Sequence, residues 1–181
     1  MTAEPELIQK AKAGDEQAFR RLVVQHEQHV RATVLGMLGD TPEATDVAQE
    51  VFIRFYRSMN QFKGNAQLRT YLTRIAINLS LNELKSRKRR FSWLTFINRE
   101  ETQDLQIEDY STSPERTDTK ELVHKALQLL EPVFRTVVVL RMIDGYSVKE
   151  TANLLELPEG TIASRLARGQ KKLKTILEKW L

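Results

Sequence analysis

The twenty residues from Ser147 to Leu166, SVKETANLLELPEGTIASRL, decide the fold of this chain. Ser147 and Glu150 have the spacing of a capping box, which opens a helix by satisfying its first backbone amides. Proline and glycine then interrupt the pattern before Thr161, where a second helix is predicted. Ala152 is small where two helices must cross closely. The apolar contacts that set their angle are predicted to come from Val148, Leu155, Ile162 and Leu166. The stretch therefore predicts a helix-turn-helix.

The second helix of this motif is strongly basic. Its cations are Arg165, Arg168, Lys171, Lys172, Lys174 and Lys179, whereas it contains only two acids, Glu159 and Glu178. Such a charge asymmetry is typical of a helix that enters the major groove of DNA. The alternative is an ordinary helical hairpin with a solvated basic face. The motif alone indicates DNA binding, but it does not distinguish a repressor from an initiation factor.

The whole chain has the composition of a helical, highly charged globular protein. Of its 181 residues 41% are hydrophobic and 29% are charged, and apolar residues recur at helical spacing almost throughout. We predict an all-α fold of two small domains. Each domain can have only a thin core, because 181 residues are divided between the two. A net charge of +4 is compatible with a polyanionic partner.

Several classes of function are excluded or disfavoured by what the sequence lacks. There is no cysteine, which removes disulfides, thiolate metal sites and thiol nucleophiles. His26 and His29 have the spacing of one helix face but no third ligand nearby in sequence, so we predict no metal site and no cofactor. Without a phosphate-binding loop or a nucleophile motif, we expect no enzyme. The charged N-terminus and the lack of a long apolar stretch predict a cytoplasmic protein.

The N-terminal half is organised around two predicted helices. The first begins at Thr41 and Pro42, an N-cap followed by a first-turn proline. Its apolar stripe comprises Ala44, Val47, Ala48, Val51, Phe52 and Phe55. The opposite face offers Asp46, Gln49, Glu50 and Arg54 to solvent or to a partner. After a break at 62–65, a second helix is predicted from about Gln67 into the basic run 85–90.

The helical pattern dissolves between the two halves. Residues 93–118 carry many acids and the breakers around Ser113 and Pro114, which predicts a flexible acidic linker. We therefore predict domains at 1–92 and 119–181, joined by this linker.

Three ordered segments of the N-terminal half resemble a known family. They are 46–56 (DVAQEVFIRFY), 62–64 (FKG) and 68–78 (LRTYLTRIAIN), and their order and spacing are similar to domain two of extracytoplasmic-function sigma factors. The C-terminal helix-turn-helix likewise looks like domain four of that family. With residues 14–19 (GDEQAF), the resemblance covers nearly the whole chain except the linker.

The resemblance implies a division of roles among named residues. Docking on the β′ clamp helices of RNA polymerase core is implied for Asp46, Gln49, Glu50 and Arg54. Capture of flipped bases of the opened minus-ten element, with phosphate neutralisation beside it, is implied for Phe62, Lys63, Gly64, Asn65, Tyr71, Arg74, Asn78, Lys85, Arg87, Lys88 and Arg89. Contact with the minus-thirty-five element is implied for Thr161, Ser164, Arg165, Arg168, Lys171 and Lys172. For Tyr71 the alternative is a core-filling ring, and for the basic run a solvated face.

The resemblance also implies partners, and the sequence departs from the family at five positions. The partners are core polymerase, through the β′ clamp helices and the β flap, promoter DNA, and an anti-sigma protein, the chain being a monomer when free. The family usually has tryptophan in place of Tyr71, aspartate in place of Asn82 and arginine in place of Lys85. It often has a basic residue in place of Ala163 and of Gln170. Two alternatives stay open: a conventional helix-turn-helix repressor or activator, and an adaptor that binds only proteins.

Overall fold

The computed structural model describes residues 3–64, 66–98 and 119–180, with the backbone alone for 93–98. All regular structure in these ranges is helical, as predicted. The α-helices are α1 (Glu4–Lys12), α2 (Glu16–Leu38), α3 (Pro42–Ser58), α4 (Leu68–Asn98), α5 (Thr119–Gln128), α6 (Pro132–Val138), α7 (Val148–Leu155) and α8 (Glu159–Glu178). A 3₁₀ turn (Met59–Gln61) follows α3, and a π turn (Val139–Ile143) continues α6.

Helices α1 to α4 form the N-terminal domain around the long helix α2, which packs on α1, α3 and α4. The predicted start of α3 is confirmed: the Thr41 hydroxyl accepts the Ala44 amide at 3.3 Å, and Pro42 opens the first turn. Ala44, Val51 and Phe55 are buried in the core. The predicted apolar stripe therefore faces inward, which turns the opposite face of α3 to solvent.

Helix α4 is longer than predicted. It continues through Asn98, so the first six residues of the predicted linker are helical. The reason lies in the sequence, because no glycine or proline interrupts it between Leu68 and Asn98. Residues 99–118 of the predicted linker lie outside the described ranges.

The predicted helix-turn-helix is confirmed as α7 and α8. Both halves of the capping box are present: the Glu150 amide donates to Ser147 Oγ at 3.1 Å, and the Ser147 amide donates to Glu150 Oε2 at 2.7 Å. Helix α7 ends at Leu155 and is followed by its C-cap, Glu156, which has a left-handed backbone with φ of 56°. Ala152 and Ile162 are buried against Val137 of α6. These contacts hold the two helices of the motif at a defined angle.

The two domains pack against each other. Helix α2 contacts α5, α6 and the π turn. Val139, Leu140, Tyr146 and Leu154 of the C-terminal domain belong to the same buried cluster as the core of the N-terminal domain. A small domain buries a smaller fraction of its surface than a large one, so a shared core adds stability that neither half has alone.

The last turn of α2 is capped by side chains from elsewhere in the chain. The terminal carbonyls of a helix have no partner within it and carry partial negative charge. Gln128 Nε2 donates to the Gly36 carbonyl at 3.2 Å, and Arg135 Nη1 donates to the Met37 carbonyl at 2.6 Å. Arg87 of α4 donates to the Leu38 carbonyl at 3.3 Å. Two of these three caps come from the C-terminal domain, so they also join the domains.

Among the described helices, none is both long enough and apolar enough to cross a lipid bilayer.

Candidate nucleic-acid interface

Helix α8 presents a polar face away from its core contacts. Ile162, Gly169 and Leu173 are buried and fix the rotation of the helix. Gly169 allows α8 to pack closely on α6, because a Cβ at position 169 would lie 2.8 Å from Val138 Cγ2. The remaining face exposes Ser164, Arg168 and Lys171, with Thr161 and Arg165 half-buried at its edge. The structure thus brings five of the six predicted minus-thirty-five residues onto one solvent-facing surface.

Lys172, the sixth, has a different environment. Its ammonium group pairs with Glu131 at 2.5 Å and lies 4.9 Å from the centroid of the Phe134 ring. These contacts tie α8 to the start of α6 within the C-terminal domain. The Lys172 side chain is 46% exposed, so this surface ion pair leaves its predicted DNA contact as a prediction.

The exposed face of α3 combines charge with an apolar groove. Asp46 and Gln49 are exposed, and the half-buried Glu50 pairs with Arg54 at 3.1 Å. Beside them runs a groove between α2 and α3, lined by Phe19, Phe52, Ile53 and Tyr56. Ile53 is 44% exposed and Tyr56 55%. Large apolar side chains beside polar ones are typical of a protein-binding surface, and sequence analysis missed these two.

The loop between α3 and α4 is anchored to the core of the N-terminal domain by the Phe62 ring. This ring is only 6% exposed and packs against Phe55 and Tyr71, with ring centroids 6.3 and 5.0 Å away. Phe62 is therefore a core residue that positions the loop, and its predicted base contact stays a prediction. Lys63 and Gly64 are exposed, and Gly64 has φ of 73°, a conformation that favours glycine. Asn65 lies outside the described residues.

The predicted strand-binding residues of α4 divide into core and surface. Tyr71 is half-buried, and its hydroxyl lies 3.0 Å from Ser58 Oγ, which favours the core-filling interpretation. Arg74 and Asn78 are exposed and four residues apart, so they lie on one face of the helix. Arg74 Nη2 donates to the Asn153 carbonyl of α7 at 3.1 Å, and the guanidinium lies 3.5 Å from Glu156.

The basic end of α4 contains two internally bonded arginines. Arg87 donates to Thr41 Oγ1 at 2.9 Å and to Glu83 at 3.2 Å, besides its bond to the end of α2. Arg90 is bonded to Glu83 at 2.8 Å. Arg87 thus caps α2 and joins it to α4; its side chain is 29% exposed, and its predicted phosphate contact stays a prediction. Exposed cations of the basic run include Lys85, Lys88 and Arg89.

A buried polar cluster that sequence analysis missed lies between the domains. Asp144, 5% exposed, accepts bonds from the Thr33 hydroxyl at 2.9 and 3.0 Å. Thr73 Oγ1 lies 2.9 Å from the Tyr146 hydroxyl and 2.7 Å from His29 Nε2. In the sequence, Asp144 and Gly145 indicate only a turn. The hydrogen-bond partners of Asp144 are more than seventy residues away along the chain. No local pattern therefore reveals this cluster.

Burial sets the protonation of this cluster. Loss of hydration raises the pKa of Asp144 from 3.8 to about 7, against smaller opposing effects of the Thr33 hydroxyl and of Arg69. Burial, and then the nearby Arg69 and His26 side chains, lowers the pKa of His29 from 6.5 to about 4. At neutral pH His29 is thus uncharged, and Asp144 is close to half-protonated.

The other histidine of the predicted pair is used structurally. His26 Nε2 lies 2.8 Å from Glu4 Oε2, which joins α2 to α1. In the part of the chain that the structure describes, no three histidine and carboxylate side chains are grouped so as to hold a metal ion.

Comparison with known proteins identifies the family. Residues 22–90 match the family model for sigma-70 region 2, and residues 120–173 match that for sigma-70 region 4. The RNA polymerase sigma-H factor of Pseudomonas aeruginosa is 33% identical over 97% of this chain and 94% of its own length. The sigma factor SigW of Bacillus subtilis is 31% identical over 92% of both chains, and the sigma-E factor of Escherichia coli is 30% identical over 92% and 90%; both are of the extracytoplasmic-function (ECF) type. The chain belongs to the ECF sigma factors of RNA polymerase.

Solved structures agree with this sigma-factor fold. The sigma factor RpoE from Bartonella quintana, in complex with the anti-sigma factor NepR, superposes with a TM-score of 0.68 over 88% of this chain and 96% of its own, at 19% identity. CnrH, in complex with the cytosolic domain of CnrY, superposes with a TM-score of 0.69 over 98% and 99%, at 22% identity.

Family membership establishes the general function of this sigma factor. It directs core RNA polymerase to specific promoters and initiates transcription there. A conventional repressor or activator with a helix-turn-helix is not favoured, because region 2 and region 4 are both present in the family's order. The matched region 4 segment contains α7 and most of α8, and the matched region 2 segment contains α3 and most of α4.

Proposed function

We propose that three exposed faces divide the work of this sigma factor. The α3 face docks on the β′ clamp helices of core polymerase, and α4 with its preceding loop holds the opened minus-ten strand. Helix α8 reads the minus-thirty-five element, while the C-terminal domain also contacts the β flap. The observation that carries the proposal is the polar, cationic face of α8, which turns away from a core formed by Ile162, Gly169 and Leu173.

The α8 face has the groups that major-groove recognition requires. Arg165 and Arg168 can each donate two hydrogen bonds to a guanine. The hydroxyls of Thr161 and Ser164 can form hydrogen bonds with base edges or phosphates. Lys171 adds charge one turn further along, where it suits a phosphate. Ala163 is exposed and uncharged where the family often has a basic residue, which predicts an unusual preference at the base that it faces.

An exposed side of α4 suits single-stranded DNA. The Asn78 amide can both donate to and accept from a base edge once stacking is broken. Lys85, Lys88 and Arg89 supply phosphate neutralisation beside it, without sequence information. Tyr71 and Lys85 stand where the family usually has tryptophan and arginine, so strand separation here depends more on the loop at Lys63 and Gly64. The flipped bases gain contacts that they lack in the duplex, and this binding energy opens the strands.

The same proposal makes the chain a binding protein without catalysis of its own. Core polymerase supplies the chemistry of transcription, and no nucleotide hydrolysis by this chain is needed. Its place of action is the cytoplasm, where polymerase and promoters are found.

Control of the chain falls to another protein in this proposal. Two similar sigma folds were solved with a bound protein, NepR in one and CnrY in the other. The α3 groove with its exposed Ile53 and Tyr56 offers an apolar surface for such a partner. We therefore expect an anti-sigma protein to bind this chain, which is otherwise a monomer.

Matched variants test the three faces separately. Asp46→Lys reverses a charge on α3, Asn78→Ala removes the amide on α4, and Arg168→Ala removes a guanidinium on α8. The measurements are core-polymerase affinity, permanganate detection of open promoter, and footprinting of the minus-thirty-five element. The controls are Thr45→Lys for α3, Asn60→Ala for the amide and Lys179→Ala for α8; all three change exposed residues outside the proposed contacts.

The proposal predicts three separable defects. Asp46→Lys weakens core binding, Asn78→Ala abolishes opening with core binding intact, and Arg168→Ala weakens the footprint by about ten-fold or more. Equal behaviour of variant and control in any one assay would refute the assignment of that face.

A further inference from the structure

Helix α1 contacts the start of the loop that precedes α4 through one side chain. We name residues 62–64 the capture loop, after their proposed role. Lys12, in the last turn of α1, donates from Nζ to the Phe62 carbonyl at 2.6 Å, across 50 positions of sequence. Phe62 is the C-cap of the 3₁₀ turn after α3, and carbonyls at such a helix end lack internal partners and carry partial negative charge. The lysine ammonium is therefore a favourable donor to this oxygen.

The backbone that carries Lys12 is fixed at both ends of α1. At the start of the helix, Glu4 Oε2 lies 2.8 Å from His26 Nε2 of α2. At its end only three residues join α1 to α2, and the Asp15 amide donates to the Lys10 carbonyl at 3.0 Å. Between the two ends, α1 buries three apolar side chains in the core of the N-terminal domain: Leu7, Ile8 and Ala11. These contacts set the position of Lys12 relative to α2.

Phe62 is held by its ring, its amide and its carbonyl. The ring is buried, the amide donates to the Met59 carbonyl at 3.1 Å, and the carbonyl accepts from Lys12. Because a peptide group is planar, fixing this carbonyl oxygen also fixes the direction in which the chain continues to Lys63. Gly64, one residue further, has open space where a Cβ would lie, so packing gives this part of the loop little support. The bond from Lys12 is thus the last anchor before the exposed part of the capture loop.

We propose that Lys12 is a positioning residue of the minus-ten site, which orients the capture loop toward the flipped base. This inference rests on the proposed role of the loop in base capture. The segment that matches sigma-70 region 2 begins at residue 22, so α1 lies before it. A helix outside the matched segment thus completes a site within it. Without the anchor the loop adopts several orientations, and the apparent affinity for the base falls by the fraction in the competent one.

Direct contact of Lys12 with a phosphate is the competing role, and the two roles have different signatures. A phosphate contact strengthens the binding of any strand and increases its salt dependence. Positioning of the loop strengthens only the contacts that the captured base makes. Lys12 is half-buried, and its ammonium is already bonded to a backbone oxygen, which favours positioning.

The test compares Lys12→Met with Lys10→Met, each in the holoenzyme formed with purified bacterial core polymerase. Methionine keeps most of the alkyl chain of lysine and removes the donor. Lys10 is the matched control, because it is exposed, lies two residues earlier on the same helix and loses the same charge. Lys12→Arg keeps a cationic donor and serves as the rescue variant. Thermal unfolding verifies that each variant is folded at the assay temperature.

The readout is the affinity for a single-stranded oligonucleotide that carries the minus-ten sequence of a promoter recovered by run-off selection. Fluorescence anisotropy measures it for the intact strand and for strands that each lack one base of the element. The base whose removal weakens binding by the unaltered holoenzyme most is the captured base, and the ratio of the two affinities measures capture.

We expect this ratio to fall about ten-fold in Lys12→Met, because a charge-assisted hydrogen bond that orders the loop is lost. The ratio should stay unchanged in Lys10→Met and be largely restored in Lys12→Arg. A merely structural defect would weaken the binding of intact and abasic strands alike and leave the ratio unchanged.

Three results would overturn the positioning role. The first is an equal ratio in Lys12→Met and Lys10→Met. The second is equal weakening of intact and abasic strands in Lys12→Met with a smaller salt slope, which is the signature of a phosphate contact. The third is a loss in Lys12→Arg as complete as in Lys12→Met, which would show that the donor is not what matters. An unaltered holoenzyme that binds every abasic strand as tightly as the intact one would instead refute base capture itself, on which positioning depends.

Discussion

Replacing Asp144 by asparagine is expected to favour the folded state more and more as the pH rises from acid to alkaline values. The side chain of Asp144 is 1% exposed, and burial raises its pKa from 3.8 to about 7. Below pH 3.8 the carboxyl is protonated in both the folded and unfolded states. As the pH rises toward 7, the unfolded chain ionises while the folded chain keeps its proton, so the folded state loses stability with each pH unit.

The size of the effect follows from the shift in pKa. About three pH units at 1.36 kcal/mol per unit give roughly 4 kcal/mol between pH 4 and pH 8. The charged and titratable groups that face Asp144 are His29 of α2, Arg69 of α4 and Tyr146 of its own loop. The pKa of His29 is lowered from 6.5 to about 4 in the folded state. Its contribution to the free energy of unfolding therefore increases as the pH rises from 4 to 6.5, opposite to that of Asp144. The unaltered chain should therefore show a nearly flat profile over that range.

The assay is urea unfolding of the unaltered chain and of Asp144→Asn at half-unit intervals from pH 4 to 8. Subtracting the two free energies of unfolding cancels the titration of all groups that the substitution leaves undisturbed. We expect the asparagine variant to gain on the unaltered chain by about 4 kcal/mol from pH 4 to pH 8, mostly below pH 7. A difference that stays constant within about 0.5 kcal/mol, or that changes in the opposite direction, would refute the argument from burial.

Four further outcomes are expected. Arg135→Met leaves the carbonyls of Met37, Gln128 and Leu130 without their hydrogen-bond donor. It should lower the free energy of unfolding by about 3 kcal/mol. The surface substitution Arg168→Met should change it by less than about 0.5 kcal/mol. Ser147→Ala should cost about 1 kcal/mol through loss of the capping box, measured by urea unfolding. Gly169→Ala should lower the thermal midpoint, because overpacking against α6 costs about 1–3 kcal/mol. Lys171→Ala should reduce the slope of log affinity against log salt by about 1, measured on promoter duplex, and an unchanged slope would exclude a phosphate contact.

Local patterns predicted the parts of this molecule that depend on neighbours in sequence. The Ser147 capping box, the N-cap at Thr41 and the inward stripe of α3 all follow from spacings of four residues or fewer. Such features are set by backbone geometry within a single helix, so composition and periodicity are enough to find them.

Long-range contacts escaped the sequence analysis. Arg87 looks like a surface cation in the charged end of α4, and Arg135 is the one charged residue of the apolar helix α6. Only the fold shows that both cap the end of α2, one from each domain. Asp144 looks like an ordinary turn residue, although it is buried against Thr33, 111 positions earlier. The burial of Phe62 depends on the rings of Phe55 and Tyr71, which its motif does not reveal. Pairings of this kind carry no periodic signal.

The most direct measurement is run-off transcription with purified bacterial core polymerase on genomic promoter fragments, with and without this chain. Discrete transcripts should appear only when the chain is present, start at promoters with shared minus-ten and minus-thirty-five elements, and disappear with Arg168→Ala and Asn78→Ala. Core polymerase that neither binds the chain nor starts transcription with it, while the chain alone still binds duplex DNA, would contradict promoter-directed initiation by this chain.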